Sequence, residues 1–237
     1  MNKARINNYL PPDAEAQNQL NRIAGNLLFV GRDKKSFAVT SCHDGEGKST
    51  TAVQLAYTLV REGYRVVLID AVPNGSSPFG YMAAEHEEEN RLNITDYLYG
   101  KGNLSDLLYL TDVRGFFVFP LRFYLSDRIM PPNPKLFADI LDCLSKIFDF
   151  ILVDTPSAGQ MIDASTIAYA CDGIVLVVKY KSTKKKDVAE VVRQLERSGT
   201  PILGCVINKV KFDSTISKKR YRLLRTPLSK RIFHHKS

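Results

Sequence analysis

At 237 residues, with 44% hydrophobic side chains and no Trp, the chain is long enough for one sizeable α/β domain with a full core. No apolar run approaches the ~20 residues that span a bilayer, and the opening MNKARINNYLPPDAEAQNQL has no apolar stretch of the signal-peptide kind, so a cytoplasmic protein is expected. The net charge of +8 is a property of one end: residues 218–236 hold eight Lys or Arg and no acid, and the rest balances at 25 basic against 25 acidic residues. A neutral globular part argues against nucleic acid as a partner. The basic tail is either a solvated end or a contact for anionic lipid head groups or an acidic surface, where each cation contributes about 1 kcal/mol.

The four cysteines, Cys42, Cys143, Cys171 and Cys205, are scattered with no C-x-x-C pair. Neither a disulfide framework nor a zinc site within one chain is expected. Cys171 and Cys205 sit beside apolar strands and read as core residues.

In chain order, residues 1–14 read as a flexible lead ending at Pro11-Pro12, followed by a helix over 15–29 with Leu20, Ile23, Leu27 and Leu28 on one face. SFAVTS (36–41) is a short buried strand. A glycine loop follows, and from Ser49 the apolar residues Ala52, Val53, Leu55, Ala56, Leu59 and Val60 fall at helical spacing. GYRVVLID (63–70) is a continuous apolar strand, typical of a parallel sheet covered on both faces. PNGSSPFGYMAAEHEEEN (73–90) reads as an exposed loop. NITDYLYGKGNLSDLLY (93–109) reads as two short helices, capped at Asn93 or Thr95 and at Asn103 or Ser105.

GFFVFPL is a short strand, PPNPKLFADILDCLSKIF a helix with a proline entry, and DFILVDTP a third strong strand. DASTIAYAC is helical, DGIVLVVK a strand, TKKKDVAEVVRQLERSG an amphipathic helix, and PILGCVINKV the last strand. This alternation predicts an α/β domain over 15–212, a mainly parallel sheet with helices on both faces, and a basic tail over 213–237.

The stretch joining the first strong strand to its helix, SCHDGEGKSTT, has the context of a phosphate-binding loop. Gly45 and Gly47 let the backbone curl so that successive N–H groups point at one anion. The helix starting near Lys48 adds free N–H groups and a partial positive charge. Lys48 can reach terminal phosphates, and the Ser49 hydroxyl can ligate Mg²⁺. The usual pattern has glycine five residues before Gly47, where this chain has Cys42. A glycine-rich turn without a ligand is the competing reading.

Asp154 closes FILVD and Asp70 closes VVLID, at the carboxyl ends of strands where such sheets bind ligands. Two carboxylates near one Mg²⁺ and a nucleoside triphosphate are what phosphoryl transfer needs: one orients the metal, the other positions or deprotonates the attacking group. A strand-end Asp is also a common helix cap. Asn208, closing GCVIN, has an amide that can pair with an adenine edge.

These pieces, GEGKSTTAVQLAYTLVREGYRVVLID, LNITDYLYGKGNLSDLL, PPNP, FDFILVDTPSAG, DASTIAYACDGIVLVVK and GCVINKV, resemble the cytoplasmic ATP-binding domain of the bacterial protein-tyrosine kinases of capsule and exopolysaccharide synthesis. That family lies among the deviant P-loop ATPases, with the septum-positioning and partition ATPases. The resemblance covers about 15–211 and implies a P-loop fold binding ATP·Mg²⁺ through Gly45, Gly47, Lys48, Ser49 and Thr50; Glu46, within the loop, and Asn208, at the last strand end, are expected to join them. It further implies Lys48, Asp70 and Asp154 as catalytic groups, with Ser49, Asp70 and Asp154 around the metal. As partners it implies a membrane-embedded chain-length regulator and a homo-oligomer.

The family pattern is broken in three places. Its strand-end motif Asp-x-Asp-x-Arg reads Asp70-Ala71-Val72-Pro73-Asn74 here, and Val72 can neither bind metal nor accept a proton. Its tyrosine-rich tail is reduced to Tyr221 as the candidate phosphoacceptor. The Glu-and-two-Arg helix of its ring contact is met only by Glu15, Asn18 and Asn21, or by Asn18, Asn21 and Ala24. The alternatives are an ATP-binding regulator without kinase output, a septum- or partition-type ATP-dependent dimeric switch, and a nucleotide-free scaffold. The partition branch carries a second lysine where this chain has His43.

Overall fold

The computed structural model describes residues 2–6, 11–31, 33–72, 82–84, 102–120, 134–158 and 163–210. In chain order these form β1 (Asn2–Ile6), α1 (Ala14–Leu28), β2 (Ser36–Ser41), α2 (Lys48–Arg61), β3 (Val66–Asp70), β4 (Met82–Ala84) and a 3₁₀ turn (Leu104–Leu107). Then come β5 (Tyr109–Thr111), β6 (Phe116–Phe119), α3 (Pro134–Ser145), β7 (Phe150–Asp154), α4 (Asp163–Tyr169), β8 (Gly173–Lys179), α5 (Lys185–Glu196) and β9 (Ile202–Asn208).

Among the described residues the strands make one nine-stranded sheet in the order β4-β1-β5-β6-β3-β7-β2-β8-β9. From β6 to β9 every neighbouring pair is parallel. The antiparallel pairs, β5 with β6 and β1 with β4, lie at the other end. The α/β architecture expected from the alternating pattern is the one observed.

Unbroken apolar runs suit these strands because both faces are covered. Successive residues point to opposite faces, so Phe37 and Val39 pack with Leu55, Leu59, Leu68 and Leu152 on the α1/α2 side. Ala38, Ile69, Val153 and Leu176 pack with Phe137, Ile140, Leu144 and Leu195 on the α3/α5 side. Helix α1 docks on this frame through Leu20, Ala24 and Leu27, and Asp13 caps it by accepting from the Ala16 N–H at 2.8 Å.

Three local expectations differ. Asn2–Ile6, inside the lead expected to be flexible, form β1, parallel to β5 and antiparallel to β4. Met82–Ala84, inside an expected exposed loop, form β4. Ladder bonds to a distant strand carry no short-range sequence signal, so neither strand shows in the local pattern. The helix expected through Tyr109 stops at Leu107: a capping box between Asn103 and Asp106 starts it, and Tyr109 and Leu110 then pair with Val118 and Phe117. Of the other expected elements, the helix at 93–101 and the tail over 213–237 lie outside the described residues.

The register is what positions chemistry. Asp70 and Asp154 are direct cross-strand partners on β3 and β7, and Val39 on β2 pairs with Asp154. The loop leaving β2 therefore emerges beside both carboxylates. Leu152, on the inner strand β7, is fully buried. Leu152→Ala should cost about 2–5 kcal/mol of unfolding free energy, read from denaturant midpoints at unchanged slope; a loss well under 1 kcal/mol would mean that β7 is not a core strand.

Candidate functional site

Strand β2 ends at Ser41, and α2 begins at Lys48 after six intervening residues. The turn between them needs left-handed backbone at two positions, and both are glycine: Gly45 at φ 74° and Gly47 at φ 93°. At Gly47 the requirement is also steric, because a β-carbon there would lie 2.1 Å from Asn208 Nδ2.

The loop is held by its carbonyls. His43 O accepts from the Ser41 hydroxyl at 2.8 Å, Gly45 O from Lys209 Nζ at 2.8 Å, Glu46 O from Asn208 Nδ2 at 2.9 Å, and Gly47 O from the Thr51 hydroxyl at 2.8 Å. In a trans peptide the C=O and the next N–H point in opposite directions. Each tied carbonyl thus turns the N–H that follows it, of Asp44, Glu46, Gly47 or Lys48, away from that carbonyl's partner. That is the geometry of an anion cradle, strengthened by the positive end of α2.

Glu46 does not face that cradle. Its carboxylate is buried and accepts from the N–H groups of Cys42 at 2.9 Å and His43 at 3.1 Å, and the Thr183 hydroxyl donates to its other oxygen. Glu46 is therefore a brace joining the loop to the turn after β8. Asn208 is likewise engaged with the loop backbone instead of standing free for an adenine edge.

Lys48 lies in the first turn of α2, buried, with Nζ 3.5 Å from Asp44 Oδ1. Asp44 also accepts from the Ser157 hydroxyl at 2.9 Å. Ser49 is buried beside them and Thr50 is half-buried on the same turn. Asp70 is fully buried and accepts from the Val72 N–H at 3.3 Å. Ala71 and Val72 are themselves buried, so an apolar wall stands where the family pattern has its second acid. Asn74 and Tyr221 lie outside the described residues.

Asp154 is the anomaly of the site. It is fully buried, and neither carboxylate oxygen has a hydrogen-bond partner. Burial pushes its carboxyl up to about 8; the nearby Ser49 hydroxyl pulls it down, the Asp70 charge pushes it up, and the Lys48 ammonium pulls it down. The Ser49 hydroxyl thus influences Asp154 without meeting strict hydrogen-bond geometry. A buried carboxylate is costly unless something compensates it. Two orphaned hard oxygens beside a hydroxyl, next to an anion cradle, fit Mg²⁺ carried on a nucleotide, which takes one or two carboxylates together with phosphate oxygens. Among the described residues no group of three or more His, Cys, Asp and Glu could hold a metal without such a partner.

Sequence reasoning located Gly45, Gly47, Lys48, Ser49, Thr50, Asp70 and Asp154, and the fold brings all of them to one end of the sheet. It missed Thr183 and Lys209, which touch the loop from the ends of β8 and β9. Both follow strands of the parallel run, so the rule that such sheets build their sites at carboxyl strand ends could have flagged them.

The fold and this loop define a P-loop nucleotide-binding domain of the deviant ATPase kind. The family described as an AAA domain matches residues 34–201. The chain is 36% identical over 202 residues to the tyrosine-protein kinase CpsD of Streptococcus agalactiae, covering 83% of this chain and 84% of that protein. It is 32% identical over 210 residues to CpsD of Streptococcus pneumoniae serotype 4, covering 86% and 88%. Among solved structures, the chimerical protein CapA2B2 superposes with a TM-score of 0.69 at 22% identity, covering 90% of this chain and 95% of that one, and speaks for the fold. The chain belongs to the family of the bacterial CpsD-like tyrosine-protein kinases.

Asp154 makes a titration prediction for the protein free of nucleotide and metal. The folded chain keeps this proton up to about pH 8, whereas the unfolded chain loses it near the ordinary value of 3.8. Between these pH values the folded state binds the extra proton, so this group's contribution to stability falls as pH rises. Asp154→Asn removes the titration at nearly constant shape. It should stabilise the protein at pH 8 by about 1–3 kcal/mol and change little at pH 4. Lower stability than wild type at pH 8 in chemical denaturation would contradict the assignment.

Proposed function

We propose that the chain is an ATP·Mg²⁺-binding kinase subunit of capsule or exopolysaccharide synthesis, working at tyrosine hydroxyls of its own tail or of a partner. The observation that carries this reading is the unpartnered Asp154 carboxyl beside a preformed phosphate loop, in a chain whose relatives are named tyrosine-protein kinases. The N–H groups of Asp44, Glu46, Gly47 and Lys48 receive the β- and γ-phosphates, and the Lys48 ammonium leaves Asp44 to meet the terminal phosphate. Ser49 and Asp154 hold the cation, which, when bound, neutralises charge that builds on the transferring phosphoryl group. Asp70, one strand away, orients the attacking hydroxyl and accepts its proton.

Val72 sets the rate. A second carboxylate at that position would supply a general-base contribution of about 10²–10⁴-fold, and the buried valine supplies none. Weak kinase output, with nucleotide binding retained, follows. The relevant partner is then a membrane-embedded chain-length regulator, approached from the inner membrane face, where the basic residues of 218–236 meet anionic lipid. His43, in the place of the partition branch's second lysine, lies 3.0 Å from Asp187 on α5, an arrangement internal to one chain that gives the dimeric-switch alternative no added support.

With radiolabelled ATP and Mg²⁺, wild type should place label slowly on tyrosine, and Lys48→Ala should lose both label and ATP affinity by at least tenfold. Val72→Asp, if folded, should raise the labelling rate by about 10-fold or more. ATP binding without tyrosine label in either wild type or Val72→Asp would reduce the reading to a nucleotide-bound regulator; no ATP binding at all would refute it.

A further inference from the structure

The phosphate loop is gripped from outside by two consecutive residues that no part of the phosphate-binding reading requires. Strand β9 ends at Asn208, whose carbonyl accepts from the Tyr180 N–H at 2.9 Å and so anchors the strand end to its neighbour β8. The chain then turns through Lys209 at φ 58°, one of the non-glycine residues with left-handed backbone. That conformation is unfavourable for an L-residue with a β-carbon, and it persists only where its surroundings hold it.

The turn has two consequences. The Lys209 N–H donates to Asn208 Oδ1 at 2.8 Å, which fixes the amide so that Nδ2 faces the loop and donates to Glu46 O. The Lys209 side chain folds back and its ammonium donates to Gly45 O. Adjacent loop carbonyls are thus tied to adjacent residues of β9's end. Asn208 Nδ2 also fills the space where Gly47 would carry a β-carbon, so the pair closes on the loop as a jaw.

We propose that Lys209, acting with Asn208, is a positioning residue that preforms the phosphate loop: holding Gly45 O and Glu46 O outward aims the N–H groups of Glu46 and Gly47 inward before nucleotide arrives. This rests on the reading of the loop as a nucleotide cradle. It gives a lysine a role on the outside of the loop, through carbonyls, where a lysine inside it would touch phosphate. Affinity is gained because the ordering of the loop is already done in the free protein.

The test uses Lys209→Gly, which removes the ammonium while suiting the left-handed backbone, and Lys209→Arg, which restores a donor. Lys209 is exposed and Gly suits its backbone, so folding should be unaffected and the melting temperature not lowered. Two quantities are measured: hydrogen exchange of the peptide spanning 42–48 without nucleotide, and the Kd for ATP·Mg²⁺. The inference expects faster exchange of that peptide alone in Lys209→Gly, a Kd weakened about five- to tenfold, and partial recovery of both in Lys209→Arg. Wild-type loop exchange, or a wild-type Kd, in Lys209→Gly overturns it, as does a drop in melting temperature with exchange faster throughout. A wild-type chain that binds no ATP overturns the cradle reading and the nucleotide role together; because loop exchange is read without nucleotide, that failure is distinguishable from failure of the brace.

Discussion

A carboxyl group sealed away from water without a hydrogen bond is the constraint around which the rest of this site is arranged. Asp154 sits at the tip of an inner strand, in parallel register with Asp70 on one side and with the strand that feeds the phosphate loop on the other. Left ionised and alone, it would oppose folding; neutral, it waits. Beside the Lys48 ammonium, what can compensate it is a cation that arrives with its own anionic ligands, and among the described residues the neighbouring element suited to anions is the loop of 42–48. Under the proposed function, the loop and the acid complement one another, since a cation carried on a phosphate group would satisfy both.

The loop itself is a rigid object made from small parts. Two glycines allow its path, and Glu46, Thr51, Asn208 and Lys209 fix it by outward contacts. Each contact contributes on the order of 1 kcal/mol, and together they fix the orientation of successive peptide groups in the loop. Because the braces come from β2, α2, β8 and β9, the loop's shape depends on the assembled sheet and not on the local sequence alone. The same sheet holds Asp70 beside the buried Ala71 and Val72, so the acid at the tip of β3 has an apolar neighbour in place of a second carboxylate.

Much of this was legible beforehand because it is written locally. Continuous apolar runs announced the parallel strands, and the glycines, Lys48-Ser49 and the strand-end aspartates announced the residues that the fold gathers at one end of the sheet. Elements whose reason lies elsewhere in the chain were not legible: β1 and β4 exist through pairing with each other and with β5, and the segment at Tyr109–Thr111 is a strand because Phe117 and Val118 are there to receive it. From the sequence, Glu46 reads as a ligand because it lies within the loop. Its burial and its bonds to Cys42, His43 and Thr183 show a brace, a distinction that depends on side-chain direction. Asn208 was placed on the correct strand end, but the carbonyl that engages it belongs to a residue 162 positions away in the chain.

The central claim, that Asp154 holds a proton until a nucleotide-borne cation replaces it, has a direct thermodynamic signature. Titration calorimetry of ATP·Mg²⁺ into the protein at pH 7, repeated in buffers of different ionisation enthalpy, counts the protons exchanged on binding. Metal coordination requires a deprotonated ligand, so the wild type should release close to one proton more than Asp154→Asn does. Equal proton counts for the two proteins would contradict the account.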